Sequence, residues 1–204
     1  MPDLLPVLSS IPRTDIQNRI MRLEPIEKPK SLFLKIAYWF TGRRYGKVMS
    51  PLKVIYARKP ELLSLAMKIA KFEEKQNSLS PELRLLIKVA TATENGCTFC
   101  QDIALAHAVR GRLGTGKFLA LITKDESKMS VFSEKEQIVL AVLEEYNTER
   151  KVSDDSFNEL RKHFSETEII EILALNACEQ FYNAMTIPLE IESDGLEKLA
   201  QTKD

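Results

Sequence analysis

From Ser31 onward the apolar residues recur with helical spacing, and no stretch shows the two-residue alternation of a strand bounded by hairpin turns. SLFLKIAYWF opens behind Ser31, a residue type that caps helix starts, and GRRYGK interrupts the run. SPLKVIYARKP places Pro51 in a first turn after Ser50, where a missing backbone N–H leaves no bond unmade. PELLSLAMKIAKFEEK sets Leu62, Leu63, Ala66, Met67, Ile69 and Ala70 on one stripe, which predicts an amphipathic helix. LSPELRLLIKVATATENG repeats the Ser-Pro entry at Ser80 and Pro81, then stops at Asn95 and Gly96, residue types that tolerate left-handed backbone. A new helix is expected from Cys97 through QDIALAHAVRG to Gly111 or Gly114. Two capping boxes follow, Ser133 with Glu136 before QIVLAVLEEY and Ser165 with Glu168 before IIEILALNACEQFYNAM. Between them SDDSFNELRKHF reads as a short amphipathic helix, and the expected fold class is all-α.

Residues 1–30 differ, because Pro2, Pro6, Pro12, Pro25 and Pro29 punctuate them, although DIQNRIMRL has room for about two helical turns. We therefore expect an irregular N-terminal arm over 1–30, wrapping the body or a neighbouring subunit, and a single all-helical domain over 31–204. Composition agrees with one packed core: 204 residues, 44% hydrophobic and 28% charged. Lys and Arg number 29 and so do Asp and Glu, so no net field gathers nucleic acid. The most apolar run, Leu32 to Phe40, is broken by Lys35 and is far shorter than the roughly 20 residues that span a bilayer. No membrane helix is expected. The N-terminus lacks the basic opening of a secretory signal, which points to the cytoplasm. The aromatic run AYWFTGRRYG, Ala37 to Gly46, is expected either to cover a subunit interface or to pack within the chain. The basic residues Arg43, Arg44 and Lys47 read as a solvated patch rather than a lipid site.

Candidate chemistry enters with the cysteines, of which there are three. Cys97 and Cys100 are three residues apart at a helix start, so they share a face and can exchange between dithiol and disulfide. Unpaired amides and the helix dipole there favour the Cys97 thiolate. The competing readings are two small packing residues or half of a metal site. A structural zinc needs four ligands, and only Cys178, His107 and His163 remain, so no metal and no other cofactor is expected. Cys178 reads as a core residue. His107 continues the cysteine face but lies about one turn beyond direct contact with Cys100. Asp102 points about 200° away from Cys100 and is not expected as a base.

These residues resemble the carboxymuconolactone decarboxylase and alkylhydroperoxidase D-like proteins, in the branch that contains CxxC. The resemblance runs from about Tyr45 to Ile191: YGKVMSPLKVIYARKPELLSLAM is similar to the leading helices, LSPELRLLIKVATATENGCTFC to the helix, turn and CxxC entry, and SEKEQIVLAVLEEY with VSDDSFNELRKHFSETEIIEI to the second half. It implies an alkylhydroperoxidase D-like helical bundle, assembly into trimers or hexamers, and peroxidase or disulfide-reductase chemistry. By motif position Cys100 would be the nucleophile that attacks a hydroperoxide. Cys97 would be the resolving residue, exposed to an external dithiol or redox-protein reductant. The family's relay glutamate and histidine fall on Leu85 and Ala104, which move no protons. The nearest replacements are Glu82 and His107, so the expected catalytic set is Cys97, Cys100, His107 and Glu82, with slow turnover. The alternative is a non-catalytic oligomeric interaction module or redox sensor of the same fold. Lactone decarboxylation ranks last, having no evident use for the CxxC couple.

Overall fold

The computed structural model describes residues 21–125 and 130–201. The prolines at 2, 6 and 12 and most of DIQNRIMRL lie outside these residues. The described residues form helices joined by short connections, and no strand occurs among them. In chain order the α-helices are α1 (Leu32–Tyr45), α2 (Pro60–Lys75), α3 (Pro81–Glu94), α4 (Thr98–Arg110), α5 (Gly116–Ile122), α6 (Glu134–Glu149), α7 (Asp154–His163), α8 (Glu166–Thr186) and α9 (Leu196–Gln201).

Helix α3 is the centre of the bundle. Leu83, Leu85, Leu86, Ile87, Val89, Ala90, Thr91 and Ala92 are all buried, covering most of its circumference except the strip that carries Arg84 and Lys88, and α4, α5, α6 and α8 pack around it. A helix with so broad an apolar face belongs inside a core. Leu86→Ala would cost about 2–5 kcal/mol, since Leu86 is fully enclosed.

The helix starts follow their local chemistry. The Ser80 hydroxyl accepts the Leu83 N–H, and both capping boxes close, each serine accepting its partner's amide while the glutamate accepts the serine's. Ser31 stands at the start of α1 without a side-chain cap bond. SPLKVIYARKP departs from the expected α-helix: Leu52–Tyr56 is one turn of π-helix. The Ser50 N–H and hydroxyl are instead held by the Asp194 carboxylate, at 2.7 and 2.8 Å.

Two further tethers fix distant chain segments to the body. The Asp102 carboxylate accepts the N–H groups of Asp194, Leu196 and Glu197 at 2.9–3.0 Å, satisfying the free amides at the start of α9. Residues 21–29 lie against the body. Arg22 donates to the Leu189 carbonyl, Ile26 to that of Lys53, and the Tyr38 hydroxyl donates to the Ile26 carbonyl at 2.6 Å.

Candidate active site

The cysteine pair sits where α3 reverses into α4. Gly96 takes φ 72°, the Gly96 N–H bonds the Thr93 carbonyl, and the Cys97 N–H bonds the Ala92 carbonyl at 2.8 Å. This pairing is a Schellman stop, and glycine removes its steric cost. Cys97 thereby becomes the N-cap of α4, its Sγ accepting the Cys100 N–H at 3.3 Å. The two sulfurs are joined as a disulfide across a Cα–Cα distance of 5.3 Å, well inside the range such bridges span.

Both cysteines are buried, Cys97 at 1% exposure and Cys100 at 5%. The expectation of Cys97 as the exposed member is corrected here, because its capping role turns the sulfur inward against Thr186. The Thr186 Oγ1 lies 3.2 Å from Cys97 Sγ and 3.7 Å from Cys100 Sγ, and its hydroxyl donates to the Tyr182 carbonyl at 2.9 Å. In the bridged state neither sulfur carries a proton, so the Thr186 hydroxyl is the group of this contact that can donate.

Opposite the pair, α8 carries a buried polar stripe: Asn176, Glu179, Asn183 and Thr186, none more than 3% exposed. The spacing is three, four, three, so all four share one face. Asn183 Nδ2 donates to Cys100 Sγ at 3.1 Å and to Glu179 Oε1 at 2.7 Å, while its Oδ1 accepts from Asn95 Nδ2 at 2.8 Å. Asn176 accepts from the Thr91 hydroxyl at 2.7 Å.

Behind Glu179 stands Lys88, from α3. Its Nζ pairs with Glu73 Oε2 at 3.0 Å and lies over the Tyr182 ring. Burial pushes the Glu179 carboxyl up to about 7, with Lys88 opposing and Glu73 adding to the rise. Burial alone would favour a neutral Lys88 amine, but Glu73 and Glu179 hold its pKa above the usual lysine value. A buried carboxyl that titrates near neutrality, one hydrogen-bonded residue from a redox-capable sulfur, is an arrangement active sites use.

The expected relay candidates stand elsewhere. His107 Nε2 is 3.0 Å from the Tyr45 hydroxyl, and the two rings stack. Burial, then the charges of Lys88, Arg44 and Arg110, lower its pKa to about 3, so the ring is neutral at physiological pH. Glu82 lies in the first turn of α3, roughly 18 Å along the helix from the cysteine end, and pairs with Lys117 at 2.7 Å. The structure therefore brings Cys97 and Cys100 together but joins neither His107 nor Glu82 to them. Leu85 and Ala104 are buried apolar residues. Glu94 pairs with Lys124 at the surface. Cys178, expected in the core, is half-buried at the edge of α8, where partial burial pushes its thiol pKa up. Among the described residues no cluster of three or more His, Cys, Asp or Glu is placed to hold a metal, and no helix is long and apolar enough to cross a membrane.

Asn183, Glu179, Thr186 and Lys88 are the residues sequence reasoning missed. For the α8 residues the signal was present in IIEILALNACEQFYNAMT, where Asn176, Glu179, Asn183 and Thr186 recur at helical spacing on one face.

The comparisons with known proteins agree with this geometry. The model of the carboxymuconolactone decarboxylase family matches residues 60–126, which span α2, α3, the cysteine turn, α4 and α5. The uncharacterized protein YnjA of Escherichia coli (strain K12) is 30% identical over 176 residues, covering 83% of this chain and 94% of that one. Two solved structures share the fold. A peroxidase-related protein from Silicibacter sp. TM1040 superposes with a TM-score of 0.75 at 15% identity, covering 88% of this chain and 95% of its own. The alkylhydroperoxidase AhpD core of a peroxidase-related protein from Ralstonia eutropha JMP134 gives 0.74 at 17% identity, covering 90% of this chain and 98% of its own. With the helical bundle, the CxxC pair at its central turn and the extended match to YnjA, this chain belongs to the carboxymuconolactone decarboxylase family.

Proposed function

We propose that this chain is a thiol-dependent peroxidase that uses Cys97 and Cys100 to reduce hydroperoxides at the expense of a dithiol. The Cys100 thiolate attacks the distal oxygen of the hydroperoxide, the O–O bond breaks, and the alkoxide takes a proton to leave as the alcohol. Cys100 is then a sulfenic acid. The Cys97 thiol condenses with it, forming the disulfide and releasing water. A small dithiol or redox protein exchanges with that disulfide, becoming oxidised itself and restoring both thiols. In sum, one hydroperoxide and one dithiol become an alcohol, water and a disulfide.

The observation that carries this reading is the Cys97–Cys100 bridge at a helix N-terminus, with N–H donors on both sulfurs. The peroxidase-related solved structures that share the fold support it. Without a histidine beside the sulfurs the proton steps rely on solvent, so turnover is slow, on the order of 10²–10⁴-fold below an enzyme with a placed acid and base. The reading includes assembly into a trimer or hexamer and a reducing, cytoplasmic setting that supplies the dithiol. Supporting assembly, Leu32, Ile36, Trp39 and Phe40 of α1 and Met67 of α2 are more than half exposed.

The test is consumption of cumene hydroperoxide by reduced protein with dihydrolipoamide, across wild type, Cys97→Ser and Cys100→Ser. Loss of turnover in both variants, with an intramolecular disulfide in the oxidised wild type, is expected. Thiols that oxidise without turnover would replace the enzyme with a redox sensor.

A further inference from the structure

Asn183 has no freedom in its placement. Its amide nitrogen has two protons, and one is given to Cys100 Sγ and the other to Glu179 Oε1, while its oxygen takes a proton from Asn95. Rotating the amide by half a turn would set its oxygen against the Glu179 oxygen and its nitrogen against the Asn95 nitrogen. Asn95 is itself fixed, its second amide proton going to Gln180 Oε1 at 3.0 Å, and Gln180 in turn donates to Asn147. The N–H aimed at Cys100 is therefore set by four side chains drawn from three parts of the chain: the end of α3, α6 and α8.

A disulfide sulfur is a weak acceptor, whereas a thiolate is a strong one, so a fixed N–H gains most when the bridge opens. The two sulfurs differ in what surrounds them. Both lie beside Thr186 Oγ1 and each accepts one N–H, but the donors differ: Cys97 takes the backbone amide of Cys100 at 3.3 Å, whereas Cys100 takes the side-chain amide of Asn183 at 3.1 Å.

We propose that Asn183, positioned by Glu179 and Asn95, stabilises the reduced Cys100 as a thiolate. The proposal rests on the peroxidase reading for its use in catalysis, but the thiolate it describes is measurable without any peroxide. Asn183 touches the reacting sulfur, and Glu179 is a positioning residue that acts through it. The ionisable groups facing Glu179 are Lys88 from α3, Glu73 from α2, and Cys178 and Tyr182 from its own helix.

The experiment reads the ionisation of Cys100 directly. In a Cys97→Ser background, iodoacetamide alkylation of the peptide carrying Cys100 is followed by mass spectrometry as a function of pH. Adding Asn183→Ala is expected to raise the Cys100 pKa by about one unit or more, a tenfold smaller thiolate fraction at neutral pH. Asn183→Asp, similar in size but without the N–H, should raise it too, and serves where the alanine variant fails to fold. Glu179→Ala should give part of the same rise. Glu179→Gln should return the value to wild type or below, because its carbonyl accepts the same bond without the carboxylate's charge. An unchanged Cys100 pKa in folded Asn183→Ala or Asn183→Asp overturns the proposal. So does an equal shift of Cys97 measured in a Cys100→Ser background, which would mark general disruption. Absence of peroxide turnover in wild type, with the Cys100 shift intact, removes the peroxidase reading and leaves the thiolate assignment standing.

Discussion

Glu179 makes a prediction at the level of one proton. Burial raises its carboxyl from an ordinary glutamate value of 4.5 to about 7, so over that interval the folded chain keeps a proton that the unfolded chain has lost. Stability therefore falls as pH climbs through the window and levels off above it. His107 has the opposite sign: with its pKa held near 3, its contribution is lost as pH drops below the ordinary histidine value of 6.5. Thermal unfolding of wild type and Glu179→Gln from about pH 5 to about pH 8 separates the two, since His107 is common to both. The variant should gain on wild type up to about pH 7 and hold that gain above it, and parallel curves would show that Glu179 is ionised throughout. The cysteines were legible because their chemistry lies in a local spacing. The residues around them were not, since Asn183 and Thr186 reach the sulfurs from 83 to 89 positions away. Glu82 and His107 were inferred from shared helix faces, and a shared face says nothing about which neighbouring helix claims the side chain. Lys117 takes Glu82, and Tyr45 takes His107.

Among the elements, α9 has six residues and cannot hold itself as a helix in isolation. Leu196 is buried, and Asp102 supplies the acceptor for three of the amides at its start. Asp102→Ala should cost about 2–3 kcal/mol, because charge-assisted bonds to buried amides are lost together. Hydrogen exchange at residues 194–197 should rise well beyond that of α3 in the variant. Equal protection in both proteins would mean that Leu196 alone docks the segment. The capping boxes, the Ser80 entry and the Gly96 stop could be read in advance, since caps are satisfied within three or four residues. The π-helical turn at Leu52–Tyr56 could not, because its entry is bound to Asp194, 144 residues away. Asp102 illustrates the same limit: its direction away from Cys100 was readable, but not that a distant helix starts on it.

For the whole molecule, α1 divides its apolar residues between two surroundings. Leu34 and Tyr38 face inward with Leu52, while Leu32, Ile36, Trp39 and Phe40 face outward at 53–72% exposure. Periodicity showed that the segment is helical, yet a helix apolar on both faces does not say whether the second face meets its own chain or another copy. The half of the bundle around α3 is closed by its own helices, whereas among the described residues nothing covers the outward face of α1. Arg43 lies over the Trp39 ring at 5.9 Å, which keeps the aromatic plane ordered at the rim of this face. If this face joins copies of the chain, Trp39→Glu places a charge where two apolar surfaces meet, and the assembly should dissociate while the bundle persists. Light scattering on the separated protein, with circular dichroism for helix content, checks both halves of that expectation. A smaller particle with unchanged helicity is the expected outcome. An unchanged mass would assign the face to another use and make Ile170, a large exposed apolar residue of α8, the next position to test for a contact between copies. The cysteine site offers a second reading of the same experiment: the contacts of Asn183, Thr186 and the Cys100 amide with the sulfurs lie within the same chain, so the Trp39→Glu particle should keep the Cys97–Cys100 couple and its thiol ionisation.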